Sequence, residues 1–265
     1  MDLYIGYRQN DYQLPFAHFF NEKVLPAPQG PMDGLQRSPF PQGALRSLNQ
    51  VREMLADGYN EVENGYTVEA DGSLRIAVLT PMPGVDPAMW NWWFAWHSDA
   101  ANKYKLWHPL AHRDARWKDG KGYTGQYIGR TSLIEEYIGK KLEKASIRFV
   151  DPTLLGFPPE AAADKHKMTL ICARLGYAHY PLDFGWLVHQ VRATPEGAEM
   201  RSRFWIGGPH IELRLKGAVS RWISGALQKL SPVTEQQAQD LLTHCAEEMP
   251  HLAAFLPAIY QLNHP

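Results

Sequence analysis

An α+β helix-grip fold, in which a curved antiparallel sheet wraps a long C-terminal helix, is the architecture this sequence predicts. Three observations carry the prediction. Short strand-like runs follow one another from about residue 127 to 207. Two short helices precede them, and a long amphipathic helix closes the chain. The block from Trp90 to Trp117 holds six of the nine tryptophans together with His97, His108 and His112. Aromatic residues at that density can wall a wide apolar pocket, and histidines beside such a wall can bind metal or carry protons.

In chain order, residues 1 to about 43 are expected to be irregular. Pro26, Pro28, Pro31, Pro39 and Pro41 are mixed with Gly30, Gly34 and Gly43, which suits an arm lying on the surface or crossing to a second subunit. Leu45, Leu48, Val51 and Leu55 have helical spacing and predict a helix over 44–58, ended by Gly58. The run 73–83 reads as a strand closed by two prolines. Asp86 as N-cap and Pro87 in the first turn open a helix at the aromatic block. Ser98 offers a cap for a second helix over 99–107, which Pro109 ends. Strands are then expected over 127–139, 142–151, 167–180, 184–194 and 199–207. In the last, Met200, Phe204 and Ile206 alternate with Arg201, Arg203 and Trp205. In the strand before it, Leu187, His189 and Val191 share a face. Pro232 and Thr234 start the final helix, Thr234 and Gln237 suit a capping box, and Ala238, Leu241, Leu242, Cys245 and Met249 form its apolar stripe. Pro250 is expected to interrupt it before a further apolar stretch.

Composition removes several classes of function. A formal net charge of -1 over 265 residues gives no electrostatic reason to expect nucleic acid or an acidic membrane surface as partner. Two cysteines, Cys172 and Cys245, make no disulfide framework, so a reducing cytoplasm is expected. The start of the chain lacks the basic-then-apolar pattern of a signal peptide, and no apolar segment is long enough to span a bilayer.

On the terminal helix Glu248 follows His244 by four positions, about one turn, so both side chains point the same way. An imidazole and a carboxylate on one face form half a site for a divalent metal such as zinc. The spacing also occurs by chance on solvated helices. Here Leu241, Cys245 and Met249 put the pair beside the buried stripe, where an unpartnered carboxylate is costly and a cation offsets the cost. His112, with His108 as competitor, and either Glu135 or Glu136 are the candidates to complete the set. His189, set between aliphatic neighbours, has the surroundings of a hydrogen-bonded core residue more often than of a catalyst.

YKLWHPLAH (104–112), YIGRTSLIEEYIG (127–139), the His189 strand with EMRSRFW (199–205), and HCAEEM (244–249) with HLAAFLPAIY together resemble the diacetylphloroglucinol hydrolases and their relative phloretin hydrolase. The resemblance implies a Bet v 1-like metal-binding catalytic domain over 63–265, an N-terminal arm and helix over 1–62, and a homodimer. It implies one zinc ion per chain on His112, Glu136, His244 and Glu248, with Glu136 chosen over Glu135 because it directly precedes YIG. Tyr104 then matches a tyrosine that hydrogen-bonds the phenolic substrate, and His189 a histidine in the pocket. Two positions depart from the pattern: an asparagine that contacts the phenol falls at Ala115, and a second tyrosine falls at Phe204. Such losses change which substrate fits, since a pocket reads hydroxyls by pairing them.

The activity so implied is hydrolysis of the carbon–carbon bond between an acyl group and a phenolic ring or enol carbon, with a small aromatic ketone as substrate. Tyr104 and His189 would assist the keto tautomer, zinc would polarise the acyl carbonyl or acidify a water, and His189 would act as general acid or base. Trp93 and its neighbours would exclude water and stack on the ring. Two other readings compete: a carrier of apolar ligands without chemistry, and a zinc esterase or lactonase on the same fold. His97, His108 and His210 are assigned to packing and loop hydrogen bonds.

Overall fold

A computed structural model describes residues 4–215, 223–228 and 233–264. Strands β1 (Gly65–Val68), β2 (Ser73–Pro83), β3 (His112–Trp117), β4 (Thr131–Ile138), β5 (Lys141–Val150), β6 (Met168–Tyr177), β7 (Leu182–Thr194), β8 (Gly197–Gly207) and β9 (Glu212–Leu213) form one sheet. Its order is β1-β2-β8-β7-β6-β5-β4-β3, with β9 paired to β7, and the ladders between these strands are antiparallel. Helices α1 (Gln29–Arg37), α2 (Pro87–Trp96), α3 (Ala101–Trp107), α4 (Glu235–Ala253) and α5 (Leu256–Asn263) accompany it. Helix α4 lies on the inner face and packs on β1, β2 and β4. This is the expected α+β helix-grip arrangement.

Both faces of the sheet are covered. Inward residues such as Leu187, Val191, Met200 and Phe204 join Trp90, Trp93 and Trp107 of the aromatic helices and Leu242, Cys245 and Met249 of α4 in the main core. The alternation read in β8 holds: Trp205 instead joins Val51, Met54 and Val188 in an outer cluster. Beside that cluster Arg201 and Arg203 both bond Glu63, which satisfies two buried cations that would otherwise be costly.

Several local expectations are corrected. Residues 1–43 are not irregular throughout. They contain α1, in which Pro31 occupies the first turn, where no N–H bond is lost, and Gly34 lets the helix approach the Asn64 backbone. The arm folds back on its own chain, with Phe16 against Trp96 and Phe19 against Phe255. The segment expected as a helix over 44–58 is a 3-10 helix, Leu48–Leu55, which buries Val51 and Met54. Ser98 does not cap α3. Its hydroxyl bonds His97 Nε2, and Ala100 is the residue at the cap position. Pro250 lies inside α4, in its last turns, so the helix runs on to Ala253. Asp86 caps α2 and the Thr234–Gln237 box opens α4, as expected; Pro232 lies outside the described residues. Strands β1 and β3 were not anticipated, because one is four residues long and the other carries mixed polar residues at the edge of the aromatic block.

Candidate metal centre and its cavity

Three elements deliver the candidate ligands. His112 opens β3 and sits directly opposite Glu136 of β4. The register between β3 and β4 shifts between His112 and Asp114, so Arg113 is the extra residue of a bulge. Ala115 and Trp117 face inward at a spacing of two. Without the bulge, strand alternation would send His112 outward, and with it the imidazole is fully buried. His244 and Glu248 come from one face of α4.

The side-chain atoms converge. His112 Nε2 lies 3.4 Å from His244 Nε2, 3.4 Å from Glu136 Oε2 and 3.3 Å from Glu248 Oε2. His244 Nε2 lies 3.7 Å from Glu136 Oε2 and 3.6 Å from Glu248 Oε2. His112, Glu136 and His244 have ligand atoms all within 4.8 Å of one another, and Glu248 stands against both histidines. Ligands about 2.1 Å from a tetrahedral zinc ion are separated by about 3.4 Å, so these spacings fit one small cation. Glu135 points the other way and pairs with Lys144 and Arg113. His108 stacks on the His244 ring and bonds Glu247.

The surroundings orient the ligands. His112 Nδ1 bonds the Tyr104 carbonyl at 3.0 Å, which leaves Nε2 to face the cluster. The Tyr104 ring stacks on His112 at 3.7 Å, and its hydroxyl donates to Glu136 Oε2. Burial pushes the Glu136 carboxyl up to about 7 despite that bond. Burial, then the nearby Glu136, raises Glu248 well above the ordinary carboxylate range. Burial, joined by the other imidazoles, holds His112 and His244 well below the usual histidine range. Two neutral imidazoles and two carboxylates that resist ionising make a site a divalent cation would complete.

A cavity of about 80 Å³ leads away from these groups. Phe94, Trp107, Ser132, Ile134, His189 and Phe204 are among its walls, with Glu136, His244 and Glu248 at one end. It adjoins an outer, mainly aliphatic cavity of about 220 Å³ through Ile134, Glu136, Ile147, Leu175 and Leu241. His189 Nδ1 meets Ser202 Oγ at 2.7 Å, which leaves Nε2 for the cavity. Burial drives His189 down to about 3, so the ring is neutral at neutral pH.

A family model described as the DAPG hydrolase PhiG domain matches residues 45–261. The chain belongs to that family. This bears out the resemblance drawn from the motifs. The 2,4-diacetylphloroglucinol hydrolase of Pseudomonas protegens (strain DSM 19095 / LMG 27888 / CFBP 6595 / CHA0) is 24% identical over 261 residues, 93% of this chain and 84% of its own length. Phloretin hydrolase of Eubacterium ramulus is 26% identical over 270 residues, 97% of this chain and 93% of its own. Among solved structures, Ara h 8.0201 is similar over 70% of this chain and 97% of its own, at 11% identity and a TM-score of 0.42.

Of the residues singled out in this DAPG hydrolase family member, Tyr104, His112, Glu136, His189, Phe204, His244 and Glu248 gather around the inner cavity or the ligand cluster. Trp93 and Ala115 are buried but line neither cavity: Trp93 stacks on His97, and Ala115 pairs with Ile134 across β3 and β4. Phe94, His97, Tyr104 and Trp107 are the rings of the aromatic block that line the inner cavity, joined by Phe149 and Phe204 from the sheet. Sequence reasoning missed Ser202, Ser132 and Phe94. Ser202 had a readable signal, being a small hydroxyl on the inward side of β8 between Met200 and Phe204.

Proposed function

We propose that this chain is a zinc-dependent hydrolase that cleaves the carbon–carbon bond between an acyl group and a phenolic ring or enol carbon. The observation that carries the reading is the convergence of two imidazole nitrogens and two carboxylate oxygens at one end of an aromatic-lined cavity that His189 also lines. A carrier of apolar ligands needs the cavity but not the convergence. The family likeness to hydrolases of 2,4-diacetylphloroglucinol and phloretin supports the choice of an acylphenol over a simple ester.

His112, Glu136, His244 and Glu248 would hold the ion, a nitrogen and oxygen donor set that suits zinc. When bound, zinc supplies positive charge that polarises a carbonyl and acidifies water. The chain's own residues do the rest. Hydrolysis adds the oxygen of water to the acyl carbon and a proton to the ring carbon, which leaves with the electron pair of the broken bond. That pair is best received when the ring is in its keto tautomer, where a neighbouring carbonyl takes up the charge. Neutral His189 accepts a proton at Nε2 and returns it to the ring carbon, while Ser202 holds Nδ1. Tyr104 fixes Glu136 through its hydroxyl and His112 through its carbonyl. Phe94 and Trp107 keep bulk water from the ring.

The same proposal includes a homodimer, which rests on the family likeness, and a cytoplasmic location, which two free, buried cysteines support. It also keeps residues 1–62 as an arm serving a catalytic domain over 63–265. The deciding experiment is metal analysis of the purified protein joined to product analysis on acylphenols and simple esters. One zinc per chain with release of a carboxylic acid and a free phenol is expected. A metal-free protein that binds acylphenols unchanged would make it a carrier, and turnover of esters alone would make it an esterase.

A further inference from the structure

Two residues that line the inner cavity each carry a buried polar atom with no protein partner: Ser132 Oγ and Trp107 Nε1. Ser132 is 1% exposed and Trp107 5%. A hydroxyl or indole N–H left unpaired inside a protein is costly, and native interiors seldom leave one without a purpose.

The sheet register says where Ser132 stands. Along β4, Ser132, Ile134 and Glu136 fall on the inward face at a spacing of two. Followed across the sheet, Ser132 pairs with Ile147, Ile147 with Leu175 and Leu175 with Gly185. Glu136 lies four residues from that level in one direction along β4. His189 lies four residues from it in the other, along β7. Along the strand direction Ser132 therefore stands at a level between the ligand end of the cavity and His189, which is three strands away on β7. Trp107 flanks the ligand end, its ring 5.5 Å from that of His112 and 5.5 Å from that of Phe94.

We propose that Ser132 Oγ and Trp107 Nε1 form the polar subsite that binds oxygens of the substrate's ring, and that Ser132 determines specificity for a hydroxylated ring. The inference rests on the reading of this cavity as the place where an acylphenol is held. Phe204 offers that ring no hydroxyl, and Ala115 neither carries a polar group nor reaches the cavity, so the oxygens need other partners. Ser132 can donate to a ring carbonyl or accept from a phenol, whereas Trp107 can only donate. Both tautomers of a polyhydroxylated ring are thus accommodated at Ser132. A ring bearing oxygen fits this subsite and a plain hydrocarbon ring does not use it.

The test measures binding to the zinc-loaded protein, by calorimetry or tryptophan fluorescence, with phloroglucinol and toluene as probes. Wild type is expected to bind phloroglucinol, and Ser132→Ala to bind it roughly tenfold more weakly with toluene affinity unchanged. Trp107→Phe should give a second loss of similar direction, again selective for the oxygenated probe. Equal affinity of wild type and Ser132→Ala for phloroglucinol overturns the subsite, as does equal weakening for both probes, which would mark a packing effect. Binding is read without turnover, so failure to hydrolyse acylphenols would sink the proposed reaction and leave this result standing.

Discussion

At the scale of single residues, the site works by removing polar groups from water and leaving them few choices. Glu136 has one oxygen shared between the Tyr104 hydroxyl and the imidazoles. Replacing Tyr104 with Phe removes that bond and should weaken zinc affinity by about 10- to 100-fold, read by competition with a chelator. His244→Ala should abolish zinc binding and turnover together, because three ligands would remain around a buried pair of carboxyl groups. His189→Ala should keep its zinc and lower kcat by about a hundredfold or more. Full turnover in that variant would remove His189 from the chemistry.

Among the elements, the β3 bulge matters most. Deleting Arg113 restores simple alternation and turns the His112 side chain outward. Such a deletion should leave the sheet's circular dichroism intact and the protein without zinc. A variant that retains zinc would show that His112 reaches the site by another route. Residues before about 62 pack on the rest of the chain at several places, besides the Phe16–Trp96 and Phe19–Phe255 contacts. Their 3-10 helix buries Val51 against the outer face of the sheet, and α1 approaches the Asn64 backbone at Gly34. A Cβ at Gly34 would stand 2.5 Å from the Asn64 carbonyl oxygen. Gly34→Ala should therefore cost about 1–3 kcal/mol, seen as a lower denaturant midpoint with unchanged slope.

For the molecule as a whole, buried histidines set the response to acid. Burial lowers His189 to about 3, and His97 to about 4. Both are neutral in the fold and take up protons on unfolding near their ordinary value of about 6.5. The unfolded chain thus binds more protons below that value, and stability is lost as the pH falls from about 6.5 toward 4. At pH 5 the loss is on the order of 2 kcal/mol for each. Urea titrations at pH 7 and pH 5 check this, and an equal midpoint at both would contradict it. Zinc adds in the opposite sense: at a thousandfold excess over its Kd it should raise stability by about 4 kcal/mol.

Much of this was legible without coordinates wherever one local pattern decides the outcome. Alternation in β8, the cap at Asp86, the Thr234–Gln237 box and the His244–Glu248 pair all depend on residues within a turn or two of each other. The family motifs added the partners that spacing leaves open, choosing His112 over His108 and Glu136 over Glu135. What the linear pattern could not carry was parity and distance. One bulge residue decides which way His112 faces, and β3 must lie opposite β4 before His112 meets Glu136. Trp93 and Trp107 look alike in an aromatic run and both join the core, yet only Trp107 also walls the cavity. Pairings such as His189 with Ser202 link strands through register, and register is settled only when the whole sheet closes around its helix.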